Sequence, residues 1–342
     1  ESRLMYLQLA IGGLGNGLVL VPAMAGMILW YPRLPDLTVA AGSWLGWAAL
    51  LSVMAAAVYW RKDSRQQIRP QLAGLGGMAV LGLMAATIGG LTEPEWGYRI
   101  LMLGMAMYAA AVASATWWVA SLRTLPDGQG PPQALVRVAN VWVSTALAAA
   151  VLLGLKAAFL HADPEDRLWA AAAIGQGSMA GAVMAVWRRQ EGWAFLTSPG
   201  VNLAASLVVW YFQRRLGFDE WWILLVQANV IAGSAVALVW AAARKRLREL
   251  RESSLHDSPL LGIQTTFWAM ANLILLLPAV VAVTTRPDGL PVWCAQVFQP
   301  PGWIALVMSA AAAGWFLRQI SPGDLCHALG GLGWGLVVLL AC

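Results

Sequence analysis

Apolar residues run along the chain in long blocks separated by short polar joints. A helix that crosses a bilayer needs about 20 predominantly apolar residues. Blocks of that length fall at roughly 4–30, 38–60, 71–91, 98–122, 136–160, 168–187, 195–213, 221–243, 262–284, 302–318 and 325–341. The pattern predicts an all-α, polytopic membrane helix bundle of about eleven transmembrane helices. The joints are rich in Pro, Gly and charge, and none is long enough for a soluble domain. Residues 1–342 therefore read as a single transmembrane domain. The start at Glu1 and the apolar end suggest a fragment. The first block is too long for the apolar core of a signal peptide.

Composition sharpens this picture. The chain is 59% hydrophobic and 11% charged, against roughly 25% charged in soluble domains. A soluble enzyme, a disordered chain and a fibrous repeat are excluded. Twenty Trp stand against six Tyr and three His, and Trp favours membrane interfaces. Cys294, Cys326 and Cys342 are far apart and odd in number. They indicate neither a disulfide framework nor a zinc site.

The charge of +5 comes from topology rather than nucleic-acid binding. Basic residues gather in alternate joints: Arg61, Lys62, Arg65 and Arg69; Arg123 and Arg137; Arg188 and Arg189; Arg244, Lys245, Arg246, Arg248 and Arg251; and Arg318. The opposite joints are acidic or near neutral, with Glu93 and Glu95, then Asp163, Glu165 and Asp166, then Asp219 and Glu220 beside Arg214 and Arg215. The positive-inside rule places the N-terminus in the cytoplasm and the protein in a bacterial inner membrane. The run 244–257 extends its helix and reads as a solvated face, with contact to anionic lipid as the functional alternative.

Three blocks resemble one another. They read GSWLGWAALLSVMAAAVYWRK at 42–62, GQGSMAGAVMAVWRR at 175–189 and GWIALVMSAAAAGWFLR at 302–318. Small residues and an aromatic–Arg anchor suit any inward helix. The spacing of four helices suggests more, a threefold repeat of four.

That repeat resembles the catalytic subunit of the haem–copper oxidases, in the branch of the cbb-type oxidases and nitric-oxide reductases. RLPDLT at 33–38, VVWYFQRRLGFDEWW at 208–222 and FQPPGWIALVMSAAAAGWF at 298–316 follow the family's order of features. The resemblance implies a threefold pseudo-symmetric bundle, twelve helices if complete, with the final one missing here. It also implies haem and copper held by six His. The matched positions carry Thr38 or Val39, Gln176 and Ser178, Arg214 and Arg215, and Pro300, Pro301 and Gly302. Only His161, His256 and His327 exist in the chain, so the ligands are absent and no cofactor is expected. The resemblance then implies a non-catalytic subunit of a respiratory or electron-transfer assembly, without oxidase activity, in the lipid bilayer beside cytochrome-bearing partners.

Other residues leave alternatives open. Arg214 and Arg215 suit an interfacial ion-pair cluster, or an anion or haem-propionate site. Lys156 can snorkel from the outer end of its span or relay protons. Asn16, Asn140, Ser144, Thr145, Gln176, Ser178, Asn202, Gln227, Asn229, Gln264, Thr265, Thr266 and Asn272 lie inside spans. Most read as packing links. Gln176 with Ser178, and Gln227 with Asn229, are the best candidates to line a polar path, so a transporter or channel is the second reading. A membrane enzyme on lipid-linked substrate would have to use Asp219 and Glu220, or Asp163, Glu165 and Asp166. Asp324 and His327 read as a helix cap and a surface His. The glycine runs at 12–18 and 330–336 read as close helix packing rather than phosphate loops.

Overall fold

A computed structural model of the chain describes residues 43, 44, 46–48, 50, 51, 68–122, 133–160, 163–250, 260–285 and 292–317. Among these the fold is all-helical. We number the described helices α1 (Ile68–Leu91), α2 (Pro94–Leu122), α3 (Gln133–Leu160), α4 (Glu165–Arg188), α5 (Glu191–Phe212), α6 (Phe218–Leu250), α7 (Leu260–Thr285), α8 (Val292–Val297) and α9 (Pro300–Leu317). A 3-10 turn, Gln213–Arg215, follows α5.

The apolar blocks from 71 to 318 coincide with α1–α7 and α9. The blocks at 4–30 and 325–341 lie outside the described residues, and the block at 38–60 is described only at 43, 44, 46–48, 50 and 51, of which all but the bend at 43 are helical. Six described helices contain stretches long and apolar enough to cross a membrane: Pro94–Val119, Ala139–Leu160, Glu165–Arg188, Glu191–Phe212, Glu220–Lys245 and Leu261–Thr285. The chain is thus a multi-pass, membrane-type helical protein.

Local chemistry sets the boundaries. Pro94 opens α2, where its missing N–H costs nothing. Asp163 caps α4, its Oδ1 accepting from the Glu165 N–H at 2.9 Å, with Pro164 between them. The end of α4 is a Schellman turn: Arg189 stands at φ 53°, and the Gln190 N–H donates back to the Ala185 carbonyl at 3.2 Å. Glycine usually fills that left-handed position.

The chain divides into two compact units, residues 1–180 and 181–342, with the boundary inside α4. In the first, α1 and α2 form a hairpin, and α3 packs beside them. The hairpin is tight because glycines face it. A Cβ on Gly97 would stand 2.6 Å from the Ala85 carbonyl oxygen and 2.9 Å from the Gly89 Cα. The first half of α4 lies on α3, with Gly154 against Ile174 and Ala170. Trp47 anchors its segment to α1, its Nε1 donating to the Thr87 Oγ1 at 2.9 Å.

In the second unit α6 is central, packed by α5, α7, α8 and α9. One end holds an apolar cluster of Ala185, Ala194, Ala237, Trp240, Leu261, Ala312 and Phe316. The other end holds Ile223, Ala279, Cys294 and Val297. Helix α7 is the most outward, with only 17% of its span buried. Its exposed Ile263, Phe267, Leu277 and Val281 form a surface suited to lipid.

Candidate functional site

The first unit buries a cation. Arg99 sits in the second turn of α2 and is 5% exposed. Its Nε donates to the Asp166 Oδ1 at 2.8 Å and its Nη2 to the Asp163 Oδ2 at 2.6 Å. Trp96 and Trp169 meet edge to face with centroids 5.7 Å apart. The guanidinium lies 5.3 Å and 5.8 Å from those two rings. Stacking and two carboxylates compensate the desolvation of one Arg. Beside it the Tyr98 hydroxyl donates to the Leu153 carbonyl at 3.0 Å, tying α2 to α3. These bonds make the cluster a structural lock.

The second unit carries a polar stripe between α5 and α6. The Asn229 Nδ2 donates to the Ser206 Oγ at 2.8 Å. About four turns away the Arg244 Nη1 stands 3.8 Å from the Glu191 Oε2. Both residues are buried, at 7% and 2% exposure, and the guanidinium lies 5.9 Å from the Trp315 ring. The numbers of the two residues add to the same total in both pairs, so one antiparallel register governs α5 and α6. That register sets Asn202 opposite Gly233 and Ser198 opposite Ala237. Trp268 of α7 lies directly on Gly233, with its Nε1 and Cδ1 against the place a Cβ would occupy. Asn202, Ser234, Asn272 and Ser309 each fall near the middle of their helix. Asn272 and Ser309 are joined, Nδ2 to Oγ, at 3.2 Å.

Several atoms at these levels have no partner within the protein: the Ser198 Oγ, Asn202 Oδ1, Ser234 Oγ, Gln264 Oε1 and Trp268 Nε1. Ser198, Asn202 and Ser234 are 1%, 6% and 0% exposed. Hydroxyls in helices usually donate to a carbonyl one turn back. Ser178, Thr197, Ser206 and Thr265 do so, whereas Ser198 and Ser234 do not. Pro199, inside α5, also lacks the N–H that would bond the Phe195 carbonyl.

The residues singled out from the sequence are distributed as follows. Thr38, Val39 and the three His lie outside the described residues, as do Asp324 and both glycine runs. Gln176 is half-buried in the first unit, and Ser178 is buried there against its own helix. Gln227 and Asn229 lie two residues apart on α6 and meet different neighbours. The Gln227 Nε2 points to the carbonyls of Gln296 and Val297 at 3.4 and 3.5 Å. Arg214 belongs to the 3-10 turn, and exposed Arg215 lies 6.0 Å from the Phe212 ring. Glu220 accepts from the Gln296 Nε2 at 3.0 Å. Thr145 and Thr266 donate to carbonyls of their own helices one turn back.

The structure corrects one expectation and adds residues that the sequence did not single out, among them Arg99, Glu191, Ser198, Ser234 and Trp268. The solvated face expected from 244 onward fails at its first position, because Arg244 is buried against Glu191. Arg99 and Ser234 drew no attention in the sequence. An Arg inside an apolar block was the available signal for the first, since an intramembrane charge needs a partner. Nothing in the sequence separates Ser234 from a serine bonded to its own backbone.

Ser178 is engaged with the Ile174 carbonyl, and Gly302 packs against the Val297 carbonyl oxygen and the Gln227 amide. Among the described residues no three His, Cys, Asp or Glu side chains gather as a metal would need. No family model, no curated protein and no solved structure matches the chain.

Proposed function

We propose that the chain is a multi-pass carrier or channel for a small polar solute, with its route along the α5–α6 stripe of the second unit. The supporting observation is the group of unpartnered polar atoms at Ser198, Asn202, Ser234, Gln264 and Trp268. A buried donor or acceptor left unmade costs about 1–3 kcal/mol, and hydrocarbon offers no relief. Several such atoms at neighbouring levels of one helix cluster are explained by a visiting ligand. Asn229 belongs to this stripe, Ser234 lies on the neighbouring side of α6, two turns along from Gln227, and Gln176 lies in the first unit. The Glu191–Arg244 pair and the apolar cluster around Trp240 close one end. Alternation of basic and acidic joints supports an inner-membrane location with the N-terminus in the cytoplasm.

Cysteine accessibility in proteoliposomes tests the route. In a background with Cys294, Cys326 and Cys342 replaced, Asn202→Cys reacts with a small water-soluble thiosulfonate, and lipid-facing Val281→Cys does not. Equal inertness at both positions contradicts the proposal.

A second reading is the non-catalytic subunit of a respiratory assembly. It is supported by the sixth and tenth blocks of the repeat, which contribute Ala185 and then Ala312 and Phe316 to one cluster. A reduced-minus-oxidised visible spectrum of the purified protein, with a metal assay, tests the loss of cofactors on which it depends. Haem bands at stoichiometric intensity would overturn it.

A further inference from the structure

We propose that the solute is uncharged, a hydrogen-bonding molecule between water and glycerol in size, held near Asn202, Ser198, Ser234 and Trp268, whose levels fall within about one helical turn. This deepens the carrier reading and rests on it. The chemistry of the unpartnered atoms decides the class. The amide oxygen of Asn202 accepts, the indole Nε1 of Trp268 donates, and the hydroxyls of Ser198 and Ser234 do either. Together they match a molecule carrying both O–H or N–H donors and oxygen acceptors.

An ion is a poor match. The buried charges of the second unit, Glu191 and Arg244, stand at one end of the stripe and face each other at 3.8 Å. No acidic or basic residue occurs between Glu191 and Arg214 on α5, or between Glu220 and Arg244 on α6. A bare ion at mid-depth would have no counter-charge there, and the cost of such burial excludes ions by about a hundredfold. The indole N–H further repels a cation.

The space is small. Ser234 is fully buried, and Trp268 occupies the surface of Gly233, so a Cβ there would collide with the ring. Pro199 and Gly200 follow Ser198 directly, which weakens the backbone ladder of α5 at the same height.

The experiment is stopped-flow light scattering on proteoliposomes of the full chain, with sucrose, urea and glycerol gradients in turn. A parallel assay follows proton flux with a trapped pH dye under a potassium–valinomycin clamp, and sodium flux with a trapped sodium dye in vesicles without ionophore. The proposal predicts water, urea or glycerol permeability several-fold above protein-free vesicles, with ion flux at background. Asn202→Leu and Gly233→Val remove the permeability while the protein still elutes as a folded peak in detergent. Neutral permeability equal to protein-free vesicles, with ions crossing, overturns the uncharged solute and leaves the carrier reading standing. No movement of any probe overturns both. Permeability unchanged in both variants overturns the site.

Discussion

Asn229 and Ser206 are joined at 2.8 Å, and Arg244 faces Glu191 in the same register. The two bonds lie about four turns apart along the helices, so α5 and α6 cannot slide without losing both. Interhelical bonds of this kind are worth about 1 kcal/mol in a membrane. A double-mutant cycle of Asn229→Leu and Ser206→Ala, followed by unfolding in mixed micelles, measures this coupling directly. A coupling near zero would mean that the register is held by packing alone.

The Arg99 cluster makes a sharper prediction. Asp166 is buried and Asp163 is partly exposed, with side chains at 2% and 35% exposure. Removing the buried partner leaves a charge that water does not reach. Asp166→Ala therefore costs about 3 kcal/mol, and Asp163→Ala costs clearly less because solvent screens the remaining charge. Thermal unfolding of the two variants in detergent compares them. Equal losses would show that the two carboxylates act as one unit.

The helices were legible in the sequence because a bilayer leaves few options. Every backbone group must be bonded within the segment, so an apolar block from 71 to 91 or from 262 to 284 can hardly be anything but a helix. The partners were not legible. Arg99 lies far in sequence from Asp163 and Asp166, and only the approach of α4 to α2 joins them. Arg244 was read as a joint residue because it borders an apolar block, Glu191 was passed over, and the continuation of α6 to Leu250 buries the first Arg of its run. Asn229 was singled out as an amide inside an apolar block, but Ser198 and Ser234 become notable only once their usual backbone bond is seen to be missing. The spans outside the described residues leave the threefold repeat as an expectation.

Arg189 supplies a test of local strain. Its left-handed conformation costs an L-residue about 1 kcal/mol. Arg189→Ala and Arg189→Gly both lose the guanidinium, so their difference isolates the backbone. The glycine variant is the more stable by about 1 kcal/mol. A tie in unfolding midpoints would show that the turn relaxes at no cost.

Cys294 is buried in the short helix α8, and burial pushes its thiol above the ordinary value. The folded protein holds that proton more tightly than the unfolded chain. Its contribution is therefore complete below the ordinary thiol range and declines as pH rises through the folded value. Maleimide labelling of a variant retaining only Cys294 is slow in the folded protein from pH 7 to 9 and fast after unfolding in dodecyl sulfate. Rapid labelling of the folded form would place the thiol in contact with solvent.

The central claim is that the unpartnered groups at mid-depth serve a ligand rather than the fold, and opposite signs separate the two roles. Replacing Ser234 with Ala removes a hydroxyl that has no partner and leaves no large cavity. If the hydroxyl serves a passing solute, the empty protein gains stability, by about 1 kcal/mol, and its unfolding midpoint in detergent rises. If the hydroxyl holds the helices together, the midpoint falls, and the account of this stripe as a route is contradicted.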